Sequence, residues 1–157
     1  MNDRHDAARS GGEAPGWALV ATQFVLLGVL AVEVLRARRG GFLGLLGIGA
    51  VGLGSALMAL ASTLLGRRLR AHPAPHEDAV LRTDGIYGVV RHPIYLGLLS
   101  CAAGAVLIAR TPRAAAAFAA LSALLHVKSG YEERLLAERF PDYPEYAARV
   151  SKLFPGL

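Results

Sequence analysis

Apolar residues dominate four stretches of the chain, two long and two short. Trp17 to Leu35 holds 19 residues with Gln23 and Glu33 as strongly polar interruptions, and Gly41 to Leu65 holds 25 without a charge. At a rise of about 1.5 Å per residue, both can cross a hydrocarbon core about 30 Å thick. Ile94 to Ala109 and Ala114 to Val127 have 16 and 14 residues and are separated only by Arg110-Thr111-Pro112-Arg113. That spacing predicts a helical hairpin with its turn at a membrane face. The fourth helix is expected to continue as a polar extension to about Phe140, where Pro141 and Pro144 stop it. The expected fold is therefore all-α, a multi-pass membrane helix bundle of about four transmembrane helices with a cytosolic C-terminal helical extension.

Composition supports this pattern. The chain has 157 residues, 54% hydrophobic and 18% charged, against about half and about a quarter in a soluble domain. Asp and Glu are missing between Glu33 and Glu77 and again between Asp84 and Glu132, as expected of segments solvated by lipid. Cys101 is the single cysteine, which excludes an internal disulfide. Residues 1–14 carry Asp3, Asp6 and Glu13 beside Arg4 and Arg9; a signal peptide has a basic lead, so this segment reads as a disordered tail before a single domain, 15–157.

Lys and Arg counts set the expected orientation. With four spans, twelve basic residues fall on the side holding both ends of the chain and the 66–93 loop, and five on the other. Both termini are thus expected in the cytosol. The net charge of +5 then belongs to a membrane surface rich in anionic lipid heads, and no nucleic-acid partner is expected.

Gly47-Ile48-Gly49-Ala50-Val51-Gly52 matches G-x-G-x-x-G. A dinucleotide site needs that motif between a strand and a helix, with an acid about 20 residues on. This copy lies inside an apolar span, and the next acid is Glu77. The better reading is a small-residue stripe, Gly40, Gly44, Gly47 and Gly54, for close helix packing.

Polar residues cluster in two places. The first is Leu81 to Gly97, with turn residues Thr83-Asp84-Gly85 and then Arg91-His92-Pro93-Ile94-Tyr95. Pro93 suits the first turn of a helix, which puts Arg91, His92 and Tyr95 at a helix N-terminus where backbone N–H groups favour an anion. The second is Lys128-Ser129-Gly130-Tyr131-Glu132-Glu133, in which Lys128 and Glu132, four apart, share a helix face. Together they predict a cytosolic pocket with cations (Arg91, Lys128), anions (Glu132, Glu133) and aromatic faces (Tyr87, Tyr95), able to hold a zwitterionic cofactor. No nucleophile stands beside a base, so covalent catalysis is not expected. His72-Pro-Ala-Pro-His76 has two imidazoles, but its prolines break the helical face that would align them; no metal is expected.

The run Leu81 to Gly97, the hairpin, Glu132-Glu133, Phe140-Pro-Asp-Tyr-Pro-Glu-Tyr146 and Leu153-Phe154-Pro155 resemble the isoprenylcysteine carboxyl methyltransferase family of integral membrane enzymes and, more distantly, the phospholipid N-methyltransferases. The resemblance covers about His72 to Pro155, the expected catalytic region. It implies S-adenosyl-L-methionine as cofactor and methyl transfer to a lipophilic or prenylated substrate entering from the bilayer. By the same resemblance, cofactor contacts fall on His72, Ala79, Val80, Leu81, Arg82, Tyr87, His92, Pro93, Ile94, Tyr95 and Glu132, with Glu132 facing the cofactor's ammonium. The substrate-orienting cation falls on Lys128, and Arg91 and Glu133 join it as catalytic candidates. Lys128 stands where the family has Arg, without the planar fork that grips a carboxylate; Ile86 and Pro141 replace a common Pro and a common Gly.

Direct in-line displacement at the sulfonium methyl is the expected chemistry, with carboxylate O-methylation favoured over lipid amine methylation because an acid is already ionised at pH 7. Two readings from other classes stand beside it. Membrane sterol reductases share an Arg-His-Pro turn and use NADPH, but they carry Asn and Glu where this chain has Ile94 and Leu98. A non-catalytic scaffold would use the polar clusters only as anchors. The Ala, Gly, Leu and Arg bias of the chain points to a bacterial inner membrane.

Overall fold

The computed structural model describes residues 3–37, 40–66 and 81–156, with side chains from Gly16 onward. Among these, the regular structure is five α-helices and one short 3-10 turn, joined at one point by an isolated bridge. The helices are α1 (Asp3–Arg36), α2 (Gly41–Leu65), α3 (Pro93–Ala109), α4 (Pro112–Arg139) and α5 (Tyr143–Arg149). The all-α expectation holds. α1 is helical from Asp3, through the segment read from sequence as a tail.

Two described helices are long and apolar enough to cross a membrane: the Gly16–Arg36 part of α1, and α2. Only 17% of each apolar window is buried inside the protein, so side chains such as Phe24, Leu35, Phe42 and Leu45 point outward. Four crossing helices were expected. α3, an apolar helix of 17 residues, falls short of that length; α4 is one continuous rod of 28 residues whose second half is polar.

Local sequence explains the helix ends. Pro93 occupies the first turn of α3 and Pro112 that of α4, where a missing N–H has no helical partner to lose. Thr111 caps α4, its Oγ1 accepting from the Ala114 amide at 3.1 Å. α3 closes on Arg110, whose φ of 53° is left-handed. Two residues thus reverse the chain, and the predicted hairpin forms.

α2 lies antiparallel along α3, and glycines set how closely. Gly47 meets Gly104, and Gly54 meets Gly97, each pair reciprocally. A Cβ on any of the four would sit no more than 2.6 Å from the partner's backbone oxygen. Backbone touches backbone at two points seven residues apart, the close approach that small residues permit. Two members of the expected stripe therefore pack as predicted, whereas Gly40 and Gly44 meet nothing within 4 Å. Gly49 and Gly52 are exposed on the helix, so the G-x-G-x-x-G run forms no phosphate loop.

α1 packs against α4 and α3. Two polar ties cross the α1–α4 pair: Thr111 Oγ1 donates to Glu33 Oε2 at 2.6 Å, and Lys128 Nζ donates to Gln23 Oε1 at 3.0 Å. The core between α3 and α4 is built from Tyr95, Leu99, Ala102 and Ala105 against Ala114, Ala117, Leu121 and Leu125, closed by Leu30 and Leu153.

Candidate functional site

The site grows from the short stretch that turns the chain into α3. A 3-10 turn, Gly85–Gly88, begins at Gly85 with a φ of +58°, a left-handed backbone that glycine adopts freely. Residues 90–92 then run alongside 151–152. Val90 bridges Ser151 in parallel fashion, and the amides of Arg91 and His92 donate to the carbonyls of Ser151 (2.9 Å) and Lys152 (3.1 Å). α5 locks the same corner, as the Tyr146 hydroxyl donates to the Tyr87 carbonyl at 2.6 Å. His92 is fixed as the residue capping α3, beside the polar half of α4.

Glu133 is the charged hub behind this corner. Its Oε1 accepts from Arg91 Nε at 2.9 Å and from His92 Nε2 at 3.1 Å, and Lys152 Nζ lies 3.5 Å from Oε2. Burial alone would push this carboxyl up. The hydrogen bonds and charges of His92 and Arg91 outweigh burial and hold it at about 2. Arg91 also donates through Nη1 to the carbonyls of Ala147 (2.6 Å) and Val150, so one guanidinium joins α4, α5 and the last extended segment.

Glu132 faces the other way. Its Oε1 accepts from the Tyr95 hydroxyl at 2.5 Å, and its Oε2 lies 3.7 Å from His92 Nδ1. The His92 and Tyr95 rings stack 5.4 Å apart and within 6° of parallel. Burial pushes the Glu132 carboxyl above the usual carboxylate range, although the Tyr95 hydroxyl, His92 and Lys128 all favour its charged form. Lys128 is buried at 1% exposure, with its ammonium 5.3 Å from the centre of the Tyr95 ring.

These groups line a cavity of about 350 Å³, within the size range of small-molecule sites. One wall carries Tyr87, Arg91, His92, Pro93, Ile94 and Tyr95, with Lys128 and Glu132 beside it; the other is Gln23 of α1 and Met58, Ser62 and Leu65 of α2. The structure thus brings together most of the residues singled out in the sequence. Glu133 stands outside the lining, as the brace of Arg91 and His92. Arg82 is elsewhere: it donates to the Leu64 carbonyl at the end of α2 and pairs with Asp84. Leu81 is half-buried outside the cavity lining. His72, Ala79 and Val80 lie outside the described residues.

The second wall was missed from sequence. Gln23 was visible as a polar residue in an apolar span, a signal that commonly marks a bundle-facing partner, but nothing in the sequence ties it to a lysine 105 positions away. Among the described residues, no group of three or more His, Cys, Asp or Glu side chains could hold a metal ion.

A family model described as phospholipid methyltransferase matches residues 42–143, from the start of α2 to the first residue of α5. The cobalt-zinc-cadmium resistance protein CzcN of Cupriavidus metallidurans is 37% identical over 86 residues, 52% of this chain and 38% of that protein's length. The chain therefore spans well under half of that relative. No solved structure matches.

Proposed function

Since the chain belongs to the phospholipid methyltransferase family, whose model matches about two thirds of it, we propose that it is an S-adenosyl-L-methionine-dependent methyltransferase acting on a lipophilic acceptor at the cytosolic membrane face, with both termini on that side. The observation that carries this reading is the shared cavity: the Arg91-His92-Pro93 corner, Glu132, and the Lys128–Gln23 pair all open onto one space with an apolar wall.

The donor set fits such a cofactor. Glu132 offers a carboxylate to an ammonium, its orientation fixed by Tyr95 and His92. Tyr87 and the first turn of α3 supply aromatic and backbone surface. When bound, the cofactor supplies an electrophilic sulfonium methyl and its own leaving group. The protein's part is orientation and exclusion of water. Glu133 and Arg91 act as positioning residues, holding His92 in the corner. Lys128 steadies the acceptor's anionic end, while Met58 and Leu65 present an apolar surface to its tail. A carboxylate acceptor arrives ionised at pH 7 and needs no base, whereas a lipid amine must first lose a proton. We therefore favour O-methylation of an isoprenylcysteine-like acid.

The test uses the purified full chain with methyl-labelled cofactor, offered N-acetyl-S-farnesylcysteine and phosphatidylethanolamine vesicles. Label on the farnesylcysteine is expected; label on phosphatidylethanolamine alone would make the protein an N-methyltransferase. Glu132→Gln is expected to weaken S-adenosylhomocysteine binding by about tenfold or more, the worth of a charge-assisted hydrogen bond, with the unfolding midpoint retained. A folded protein that binds NADPH more tightly than S-adenosylhomocysteine would overturn the reading.

A further inference from the structure

Gln23 lies in the apolar stretch of α1, upstream of the segment the family model matches. A polar side chain at that depth is costly unless it faces the bundle and finds a partner. Its partner is Lys128, whose ammonium donates to Gln23 Oε1 at 3.0 Å. Glu132, one helical turn on from Lys128, directs its carboxylate to Tyr95 and His92 instead. Among the described residues, the hydrogen-bond acceptor that this buried ammonium meets is therefore a neutral amide, and its other close contact is the Tyr95 ring face. A neutral amide and a ring orient a cation without cancelling its charge; the Glu132 carboxylate, one turn on, attracts it without a hydrogen bond or an ion pair between them. The amide N–H₂ of Gln23 remains as a second donor beside it.

The surroundings indicate what approaches. Gln23 shares its wall with Met58 and Leu65 of α2. α1 packs on α4 and α3 while α2 packs on α3, and among the described residues the two have no substantial interface along one another. Phe24, next to Gln23, and Leu60, between Met58 and Ser62 in the chain, are exposed apolar side chains. An aliphatic chain that entered between the two helices would meet the Gln23–Lys128 pair at its polar end.

We propose that Gln23 is a specificity-determining residue: with Lys128 it selects lipophilic molecules that end in an anionic oxygen over neutral molecules with the same tail. That these molecules are methyl acceptors rests on the function proposed above; their selection by charge does not.

The experiment separates the two. Binding of oleate, oleyl phosphate and oleamide to the full chain in maltoside micelles is measured for the wild type, Gln23→Glu and Gln23→Asn, with S-adenosylhomocysteine affinity taken on the same preparations. The wild type is expected to prefer an anionic ligand over oleamide by about tenfold, as one charge-assisted hydrogen bond provides. Whether oleate or oleyl phosphate gains more distinguishes a carboxylate site from a phosphate site. Gln23→Glu places a carboxylate against Lys128 and should abolish the preference; Gln23→Asn, one methylene too short to reach Nζ, should fall between. S-adenosylhomocysteine affinity should stay within about twofold, because its contacts lie on the opposite wall. An unchanged preference in Gln23→Glu, or equal binding of all three ligands by the wild type, overturns the proposal. Loss of S-adenosylhomocysteine binding in the wild type overturns the function instead, and leaves the lipid preference to be judged alone.

Discussion

α3 carries two unlike regions. Along its length, Gly97 and Gly104 meet Gly54 and Gly47 of α2, backbone on backbone with no room for a Cβ. At its first turn, His92, Pro93 and Tyr95 join Glu132 and Glu133 in a network of charges and hydrogen bonds. The glycine seam looks like a nucleotide motif on paper and is packing in fact. The polar corner contains no motif of comparable fame, yet Arg91, His92, Glu132 and Glu133 gather there. Residue type alone does not separate the two; context does. A glycine run inside an apolar span seals helices together, whereas an Arg-His-Pro at the start of a helix, opposite tandem glutamates, builds a cradle.

The sharpest way to break this contrast is at the seam. Gly54→Ile puts a branched side chain where even one Cβ would collide with the Gly97 carbonyl and the Cys101 backbone. Forced overpacking costs about 1–3 kcal/mol or more, and here the obstacle is backbone. We expect loss of the monodisperse folded species in size-exclusion chromatography, with activity lost as a consequence.

At the corner, Glu133→Gln should separate fold from alignment. Arg91, His92 and Lys152 lose a shared anion, at a cost of about 1–3 kcal/mol in stability. The helices stay assembled, but hydrogen exchange should rise over residues 143–156, the segment that Arg91 ties down. Unaltered exchange there would show that backbone pairing alone holds the corner.

The smallest effect is a matter of pH. Glu133, held at about 2, contributes stability that is fully present above the unfolded carboxylate range and is lost progressively as pH falls from that range through about 2. Glu132 is shifted upward, so its carboxylate destabilises the fold at neutral pH and takes up a proton while Glu133 is still ionised. S-adenosylhomocysteine affinity should therefore fall in mildly acidic buffer, before the unfolding midpoint drops. Calorimetric titrations and thermal scans across the same pH series check the order.

The same contrast explains what the sequence reveals. The α3–α4 hairpin was legible because only four residues separate two apolar runs and prolines start both helices. Pro93, Lys128 and Glu132 could be placed because helix starts and i, i+4 faces are local rules. Partners chosen across space were not legible. Gln23 reaching Lys128, and Ser151 and Lys152 pairing with Arg91 and His92, depend on how the elements dock. The run of α4 from an apolar first half into a polar extension was legible; the count of spans was not, because α3 has an apolar length just short of a full crossing.

The amides of Arg91 and His92 find their acceptors on Ser151 and Lys152, about sixty residues later in the chain. A ribosome therefore releases every helix through α4 before it delivers the carbonyls that finish the corner. A nascent chain arrested after Arg139 would hold its oily rods together and still have an unformed cradle. Acquisition of ligand binding during translation should lag behind membrane insertion, because the segment that carries Ser151 and Lys152 completes the corner.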